Sequence, residues 1–129
     1  MPPRNDDELD REVRFVLGMH VGQMNAIERW DLVERVFGEV VPMELRNDDN
    51  LQDREIRYSV GRLREQGLLI CDLGDGGGRW TAANETEFWK FYSYYTKPIE
   101  ARARVARKMK EAAARMLPNL NQPSLFDGV

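Results

Sequence analysis

The feature that most constrains this sequence is a glycine-rich run between two short apolar stretches. Four of the five residues from Gly74 to Gly78 are glycine, and the run follows Leu68–Cys71 and precedes Arg79–Ala82. Glycine adopts the backbone angles of tight turns and weakens helices, so this pattern predicts a β-hairpin with a flexible tip. The run lacks the Gly-Lys-Ser/Thr of a phosphate-binding loop and does not lead into a helix, so it does not indicate nucleotide binding.

Upstream of the hairpin, apolar residues recur at helical spacing in three segments. The spacing predicts a helix over Leu9–Met19, a second over Trp30–Phe37 that ends at Gly38, and a third over Gln52–Gln66 that ends at Gly67. The third helix turns one apolar stripe towards a core, formed by Ile56, Val60 and Leu63.

Length and composition fit one compact domain with extensions. The chain has 129 residues, of which 42% are hydrophobic, enough for a core of its own. We predict a mainly α-helical (α+β) fold with one small β-hairpin. Ile27 fits a very short strand, and Asn50 with Asp53 three residues later fits the start of the third helix. The predicted parts of the chain are a disordered N-terminus (1–8), the domain (9–83), a long helix (84–117) and a flexible tail (118–129).

The net charge averages over unlike regions. Nineteen basic and 22 acidic side chains give a formal charge of −3, which at first argues against nucleic-acid binding. Residues 1–50 hold twelve acidic and six basic side chains, whereas residues 97–117 hold seven basic and two acidic ones. The third helical segment, 51–67, has an excess of one positive charge. A contact with DNA therefore depends on where particular arginines point.

Three helices followed by a glycine-tipped hairpin resemble a winged helix-turn-helix domain of bacterial or phage type. The resemblance is carried by Asp53–Arg57, Leu63–Arg64, Gly67–Ile70 and the aromatic Trp80 after the glycines, and it covers residues 9–83. It implies that the third helix enters the major groove of double-stranded DNA and that the hairpin is a wing beside it. The DNA-binding residues that it indicates are Gln52, Arg54, Arg57, Tyr58, Arg62 and, reaching a phosphate from the wing, Arg79.

A helical wheel leads to the same surface but leaves its role open. With the apolar stripe turned inwards, Arg54, Tyr58, Gly61 and Arg62 point outwards. Arginine binds phosphates and reads guanine edges with two hydrogen bonds, and glycine permits close approach to a groove wall. The same residues also fit a solvated or protein-binding face on which arginines form ion pairs. A protein-interaction module without DNA binding is therefore the alternative.

From Asn84 onwards the sequence predicts one long helix that ends at about Leu117. Asn84 and Glu87 form a capping pair, and Pro98 should kink or break the helix because it lacks an N–H group. A heptad seam runs along this helix, with spacings that alternate between four and three: Phe88, Tyr92, Tyr95, Ile99, Arg102, Ala106, Met109, Ala113 and Met116. The seam fits packing on the domain or a homodimer, and the alternative is a solvated helix.

The basic side of this helix, Lys97–Arg115, has three interpretations. It fits a solvated face or an additional contact with DNA phosphates. A membrane surface fits less well, because the apolar side is rich in alanine. The dependence of binding on salt would separate these possibilities.

The tail carries a short motif, Gln122-Pro123-Ser124-Leu125-Phe126, that resembles the bacterial sliding-clamp-binding motif. The resemblance implies that Gln122 hydrogen-bonds at the rim of the clamp's pocket while Leu125 and Phe126 fill an apolar groove. Pro123 departs from the leucine usual in that family and removes one apolar anchor. Two apolar side chains on a polar tail need a partner, and docking back on the domain is the other interpretation.

Patterns that indicate catalysis or metal binding are missing from the sequence. Cys71 is the one cysteine and His20 the one histidine, so we expect neither disulfides nor a zinc site. Ser59 and Ser93 have no histidine at a plausible spacing, so we predict no enzyme and no cofactor. No apolar run reaches the roughly 20 residues of a membrane helix, and the acidic N-terminus is unlike a signal peptide.

We therefore expect a cytoplasmic double-stranded DNA-binding protein of a bacterium or phage. Two roles fit this expectation: a transcription regulator, or a DNA replication accessory tethered to the sliding clamp by its tail. Neither role requires catalysis, because docking in a groove and holding phosphates are binding events.

Overall fold

The structure, a computed structural model, describes residues 5–117, and it divides into two units at the boundary between Ser93 and Tyr94. As predicted, the described chain is mainly helical, with one small antiparallel sheet and a long C-terminal helix. The elements are α1 (Asp6–Gly18), α2 (Arg29–Phe37), α3 (Leu51–Glu65), β1 (Ile70–Cys71), β2 (Trp80–Thr81) and α4 (Glu85–Met116). Two single 3-10 turns, Gln23–Asn25 and Met43–Leu45, lie in the connections.

The first helix begins earlier than the apolar spacing predicts. The side chain of Asn5 accepts a hydrogen bond from the backbone N–H of Glu8 at 2.9 Å and so caps α1. The acidic residues of the first turn interact favourably with the positive end of the helix dipole. Residues 5–8, which we predicted to be disordered, are therefore the cap and the first turn of α1.

The ends of α2 and α3 follow the signals in the sequence. Gly38 closes α2 in the left-handed conformation, with φ of 75°. The side chain of Asn50 accepts from the backbone N–H of Asp53 at 2.9 Å, which confirms the predicted start of α3. At the start of α2, Glu28 accepts from the N–H groups of Trp30 and Asp31.

The core of the first unit lies between α1, α2 and α3. The predicted stripe of α3 is buried, with Ile56, Val60 and Leu63 each at most 2% exposed. It packs in one cluster with apolar residues of the other two helices, of the loops and of β1: Leu9, Val13, Val16, Leu17, Ile27, Trp30, Leu32, Val33, Val36, Val41 and Ile70. This packing fixes which side of α3 remains available to a ligand.

The predicted hairpin is present, with shorter strands than the apolar runs suggest. Ile70 pairs with Thr81 and Cys71 with Trp80 in antiparallel register. The predicted strand at Ile27 is a single bridge to Arg79, with two backbone hydrogen bonds of 2.9 Å. A Cβ atom on Gly78 would lie 2.3 Å from the carbonyl oxygen of Ile27, so this close approach requires glycine.

The last helix continues through Pro98 without a break. Proline removes one backbone hydrogen bond from the helix, and the hydrogen bonds on either side of that position keep the segment helical. At its start, Asn84 accepts from the N–H of Glu87 at 3.0 Å, as predicted. The Glu87 carboxylate in turn accepts from the N–H groups of Ala83 and Gln23, which lowers the pKa of Glu87.

Candidate nucleic-acid interface

Three of the predicted DNA-binding residues lie on the outer side of α3. The side chain of Arg54 is 41% exposed, and its nearest acidic partner is Asp49, which is 97% exposed and 3.9 Å away. Tyr58 is exposed and Gln52 is half-buried. Because the opposite stripe of α3 is buried in the core, these three side chains share a rigid support. They form the part of the predicted surface that is open to a ligand.

Arg57 is held by acidic and backbone groups of its own unit. Its Nε atom lies 3.2 Å from Oδ2 of Asp53, one helical turn earlier, and its Nη2 donates to the backbone carbonyl of Asp48 at 2.8 Å. The side chain is 43% exposed, so one side still faces solvent. A phosphate would have to compete with these contacts for the guanidinium group.

Arg62 forms more hydrogen bonds to a carboxylate than Arg57 does, and its partner is Asp10 on α1. Its Nε and Nη2 atoms donate to the Asp10 carboxylate at 2.8–3.2 Å, and the buried hydroxyl of Ser59 donates to the same carboxylate at 2.6 Å. The hydrogen bonds from Arg62 are the main cause of a lowered pKa of Asp10, and burial opposes them. In this arrangement Arg62 joins α3 to α1 instead of pointing freely outwards.

The residue that organises this side of the unit is Asp53, whose side chain is completely buried. Arg29, the first residue of α2, donates to it through Nε at 2.9 Å and Nη2 at 2.7 Å, and also donates to Asp48 at 2.9 Å. The hydrogen bonds that Arg29 donates to Asp53 are the main cause of a raised pKa of Arg29. From the sequence, Asp53 was placed at the start of α3 and in the segment that resembles a winged helix-turn-helix, but its ion pairs were not predicted, and Arg29 was missed altogether.

Arg64 joins α3 to the hairpin. Its Nε donates to the carbonyl oxygen of Ile70 at 2.9 Å, and its Nη2 donates to Asp72 at 3.0 Å. The guanidinium carbon lies 4.8 Å from the centre of the Phe91 ring, close enough for a cation–π contact. Arg64 therefore has a structural role between α3, the hairpin and the start of α4.

Arg79 lies at the base of the hairpin loop, and its side chain is largely enclosed. Within residues 5–117 its guanidinium group forms no hydrogen bond, and the Nε atom is buried. Burial lowers the pKa of Arg79; the charges of Asp72 and Asp53 act in the opposite direction, while those of Arg64 and Arg29 add to the lowering. The phosphate contact of Arg79 from the wing stays a prediction, and the structure places this residue directly before β2.

These residues form one arginine cluster: Arg29, Arg57, Arg64 and Arg79. Three carboxylates lie among them, those of Asp48, Asp53 and Asp72. Each carboxylate already pairs with at least one of the first three arginines, and Asp53 pairs with two, so the excess positive charge of the group belongs to Arg79. A guanidinium group with a buried Nε atom and no hydrogen-bond partner favours an anion or water beside it.

The basic residues of the second unit differ from those of the first in their exposure and in their ion pairing. All seven are exposed, and none forms an ion pair with a carboxylate of the described chain. They are Lys97, Arg102, Arg104, Arg107, Lys108, Lys110 and Arg115. Among residues 94–117 the acidic side chains are Glu100 and Glu111, which leaves a formal charge of +5. Residues 5–93, by contrast, hold nineteen acidic and eleven basic side chains, a formal charge of −8.

The remaining expectations concern the tail motif, membrane-spanning helices and metal sites. Residues Gln122, Ser124, Leu125 and Phe126 of the tail lie outside the described residues. Between residues 5 and 117, no helix is both apolar and long enough to span a bilayer. In the same range no group of acidic, histidine and cysteine side chains could hold a metal ion.

Compared with known proteins, the chain matches no family model, no curated protein and no solved structure.

Proposed function

We propose that this chain is a double-stranded DNA-binding protein of the winged helix-turn-helix type, in which residues 97–115 supply most of the phosphate contacts. The observation that carries the proposal is the state of the seven basic side chains in that segment, which are exposed and unpaired among the described residues. Phosphates attract cations that are not already neutralised by carboxylates, and release of counterions from DNA then drives binding.

The arrangement of the first unit supports the winged-helix part of the proposal. Three helices precede a two-stranded antiparallel hairpin. In the segment between α1 and α2, Val21 bridges to Thr81 of β2 and Ile27 bridges to Arg79 just before it. The third helix has one side buried and the other open, as a helix needs in order to enter a groove. This topology is what the resemblance in the sequence implies.

Within that unit we assign contact with DNA to four residues. Gln52, Arg54 and Tyr58 are on the open side of α3, where they can reach base edges or the backbone. Arg79 is the cation of the arginine cluster that lacks a hydrogen-bond partner among the described residues, and a phosphate would supply one. Arg57 and Arg62 contribute less, because binding DNA would first have to break their ion pairs with Asp53 and Asp10.

The test is fluorescence anisotropy of the full chain with a mixed-sequence duplex at two salt concentrations. The triple variant Arg104→Gln/Arg107→Gln/Lys108→Gln should bind at least about tenfold more weakly at about 0.1 M salt. Its plot of log affinity against log salt should be shallower by roughly two to three units, because each lost phosphate contact removes about 0.9 from the slope.

A matched control removes three exposed bases from the acidic unit: Arg11→Gln/Arg14→Gln/Arg35→Gln. This variant loses the same amount of charge, so it separates a local contact from an effect of net charge. We expect its affinity to change less than about threefold. Equal weakening by both triple variants, or no binding of the wild-type chain even at low salt, would contradict the proposal.

The alternative function is a protein-interaction module, and one observation favours it. The described part of the first unit has a formal charge of −8, and most of its arginines are paired internally. A surface of this kind repels DNA and suits a basic protein partner. Absence of duplex binding at low salt, together with a folded chain, would favour this function over the first.

The tail distinguishes a regulator from a replication accessory. If the motif with Leu125 and Phe126 is functional, a peptide of residues 118–129 should bind a bacterial sliding clamp. Replacing both apolar residues by alanine should abolish that binding, because they fill the apolar groove in the family that the motif resembles. A peptide that binds equally well with and without Leu125 and Phe126, or not at all, would remove the replication role and leave DNA binding untouched.

A further inference from the structure

The part of α4 in the second unit carries an apolar stripe that a single helix cannot bury. Ile99 is 60% exposed, Met109 67% and Met116 76%. These residues fall on one side of the helix because they follow heptad spacing. Exposed apolar side chains aligned over several turns mark a surface for another helix.

The order of large and small side chains along this stripe is informative. Its layers, read along the chain, are Ile99, Arg102, Ala106, Met109, Ala113 and Met116. Read backwards, each small residue takes the place of a large one. A stripe of this kind is complementary to itself when two copies run in opposite directions.

We propose that a second copy of this chain packs on the stripe with its α4 antiparallel to the first. In this register Ile99 faces Met116 of the second copy, Arg102 faces Ala113, and Ala106 faces Met109. Antiparallel coiled coils pair their two kinds of seam position in this manner, one from each helix. The interface uses each layer twice, as two-fold symmetry requires.

A parallel pair would be worse at three layers. Arg102 would face Arg102 on the axis, where two like charges repel each other. Ala106 would face Ala106 and Ala113 would face Ala113, which leaves gaps in the packing. In the antiparallel register the stem of Arg102 has room over Ala113, and its charged end can reach solvent.

The charges of the helix agree with this arrangement. On a helical wheel, most of the basic residues lie roughly opposite the stripe: Lys97, Arg104, Arg107, Lys108 and Arg115. They therefore stay exposed when two helices pair. The inference does not depend on DNA binding, because it uses the apolar side of α4 and leaves the basic side unoccupied.

The register can be tested by disulfide cross-linking of full-length chains that carry one added cysteine each. One chain carries Ile99→Cys and the other Met116→Cys, and oxidised glutathione is the oxidant. Native Cys71 is completely buried, and burial raises its pKa to about 11, so the wild-type chain should give no cross-link. An antiparallel pair brings residue 99 of one copy next to residue 116 of the other.

We expect the mixture of the two chains to give at least ten times more covalent dimer than either chain alone. Cross-linking of Ile99→Cys with itself would overturn the direction that we propose, and a mixture with no more dimer than the single chains would overturn the pairing. Replacing Ile99→Cys by Lys108→Cys in the mixture is the matched control, since residue 108 lies on the basic side and should give no dimer.

A second pair of variants tests the interface without cysteines. Met109→Glu places a charge in the stripe and should make the chain monomeric by sedimentation at about 0.2 mM, where the wild type should contain dimer. Lys108→Glu, the adjacent residue, changes more charge but lies on the basic side and should keep the dimer. A monomeric wild type at this concentration, or an unchanged Met109→Glu chain, contradicts the proposal.

Discussion

The two units of this molecule use basic residues in opposite ways. In residues 5–93, six arginines form ion pairs with carboxylates of the same unit. In residues 94–117, none of the seven basic side chains does so within the described chain. The first set mainly stabilises a fold, and the second is available to an external anion. Counting arginines in a sequence therefore overstates the charge that a ligand can use.

The difference follows from how acidic residues are distributed in space. In the first unit three helices bring acidic residues from distant parts of the chain against α3, so that Asp10 reaches Arg62 across 52 positions. A single helix can pair only residues three or four apart, and the second unit has just two acidic residues to offer. Packing creates ion pairs that local sequence does not predict.

Removing the buried carboxylate of Asp53 should have the largest effect, and it tests whether the ion pairs of the first unit stabilise its fold. Asp53→Asn removes the buried charge that Arg29 and Arg57 share and leaves Arg29 only the exposed carboxylate of Asp48. We expect the free energy of unfolding to fall by about 3 kcal/mol, measured in urea. Asp49→Asn is the control, because Asp49 is 97% exposed and should change stability by less than about 0.5 kcal/mol. Similar small losses for both variants would show that the ion pairs of Asp53 do not stabilise the unit.

The second test measures how the stability contributed by the ion pair between Asp10 of α1 and Arg62 of α3 depends on pH. The pKa of Asp10 is lowered in the folded chain, so its ion pair adds stability above the ordinary value of 3.8 and that stability is lost as pH falls through the folded-state pKa. Asp10→Asn should cost about 2 kcal/mol near neutral pH. The gap between wild type and variant should narrow below about pH 4. A gap that stays constant from pH 7 down to pH 3 would argue against this ion pair.

A third test compares two arginines of α3 directly. Arg62→Ala should lower the free energy of unfolding by about 1.5 kcal/mol while the affinity of the folded chain for DNA stays nearly unchanged. Arg54→Ala should do the reverse, with DNA binding about tenfold weaker and stability within about 0.5 kcal/mol of wild type. If Arg62→Ala weakens DNA binding more than Arg54→Ala does, our assignment of their roles is wrong.

The smallest expected effect concerns the stability of the second unit. The triple variant Arg104→Gln/Arg107→Gln/Lys108→Gln should change the free energy of unfolding by less than about 0.5 kcal/mol, because these side chains have no partner within the described chain. Thermal unfolding followed by circular dichroism is a suitable measurement. A loss above about 1 kcal/mol would mean that these residues also serve the fold, and the comparison between the two units would fail.

Local signals in the sequence predicted the elements of the fold well. The glycine run predicted the hairpin, Gly38 predicted the end of α2, and Asn50 predicted the start of α3. The spacing of Ile56, Val60 and Leu63 predicted the buried side of α3. Each of these signals acts over a few residues. Backbone conformation and burial respond to them directly.

The candidate site was harder to predict, because it depends on contacts between distant residues. A helical wheel places Arg62 outwards but cannot show that Asp10 lies beside it. The start of α2 would have been the best clue to Arg29, since a basic residue is unfavourable in the first turn of a helix and needs a nearby carboxylate. Asp53 provides that carboxylate.

The hairpin loop offers a place to attach a reporter. Around Gly76 no atom lies within 4 Å of where a Cβ would be, and the nearest neighbours of such an atom at Gly77 belong only to the side chain of Asp75. At Gly78, by contrast, there is no space for a Cβ atom, because it would lie 2.3 Å from the carbonyl oxygen of Ile27. A short peptide or a fluorophore inserted between Gly76 and Gly77 should therefore leave the strands intact, whereas a side chain at position 78 would push the loop away from Ile27. Such a label would sit a few residues from Arg79 and would report directly on what approaches the arginine cluster.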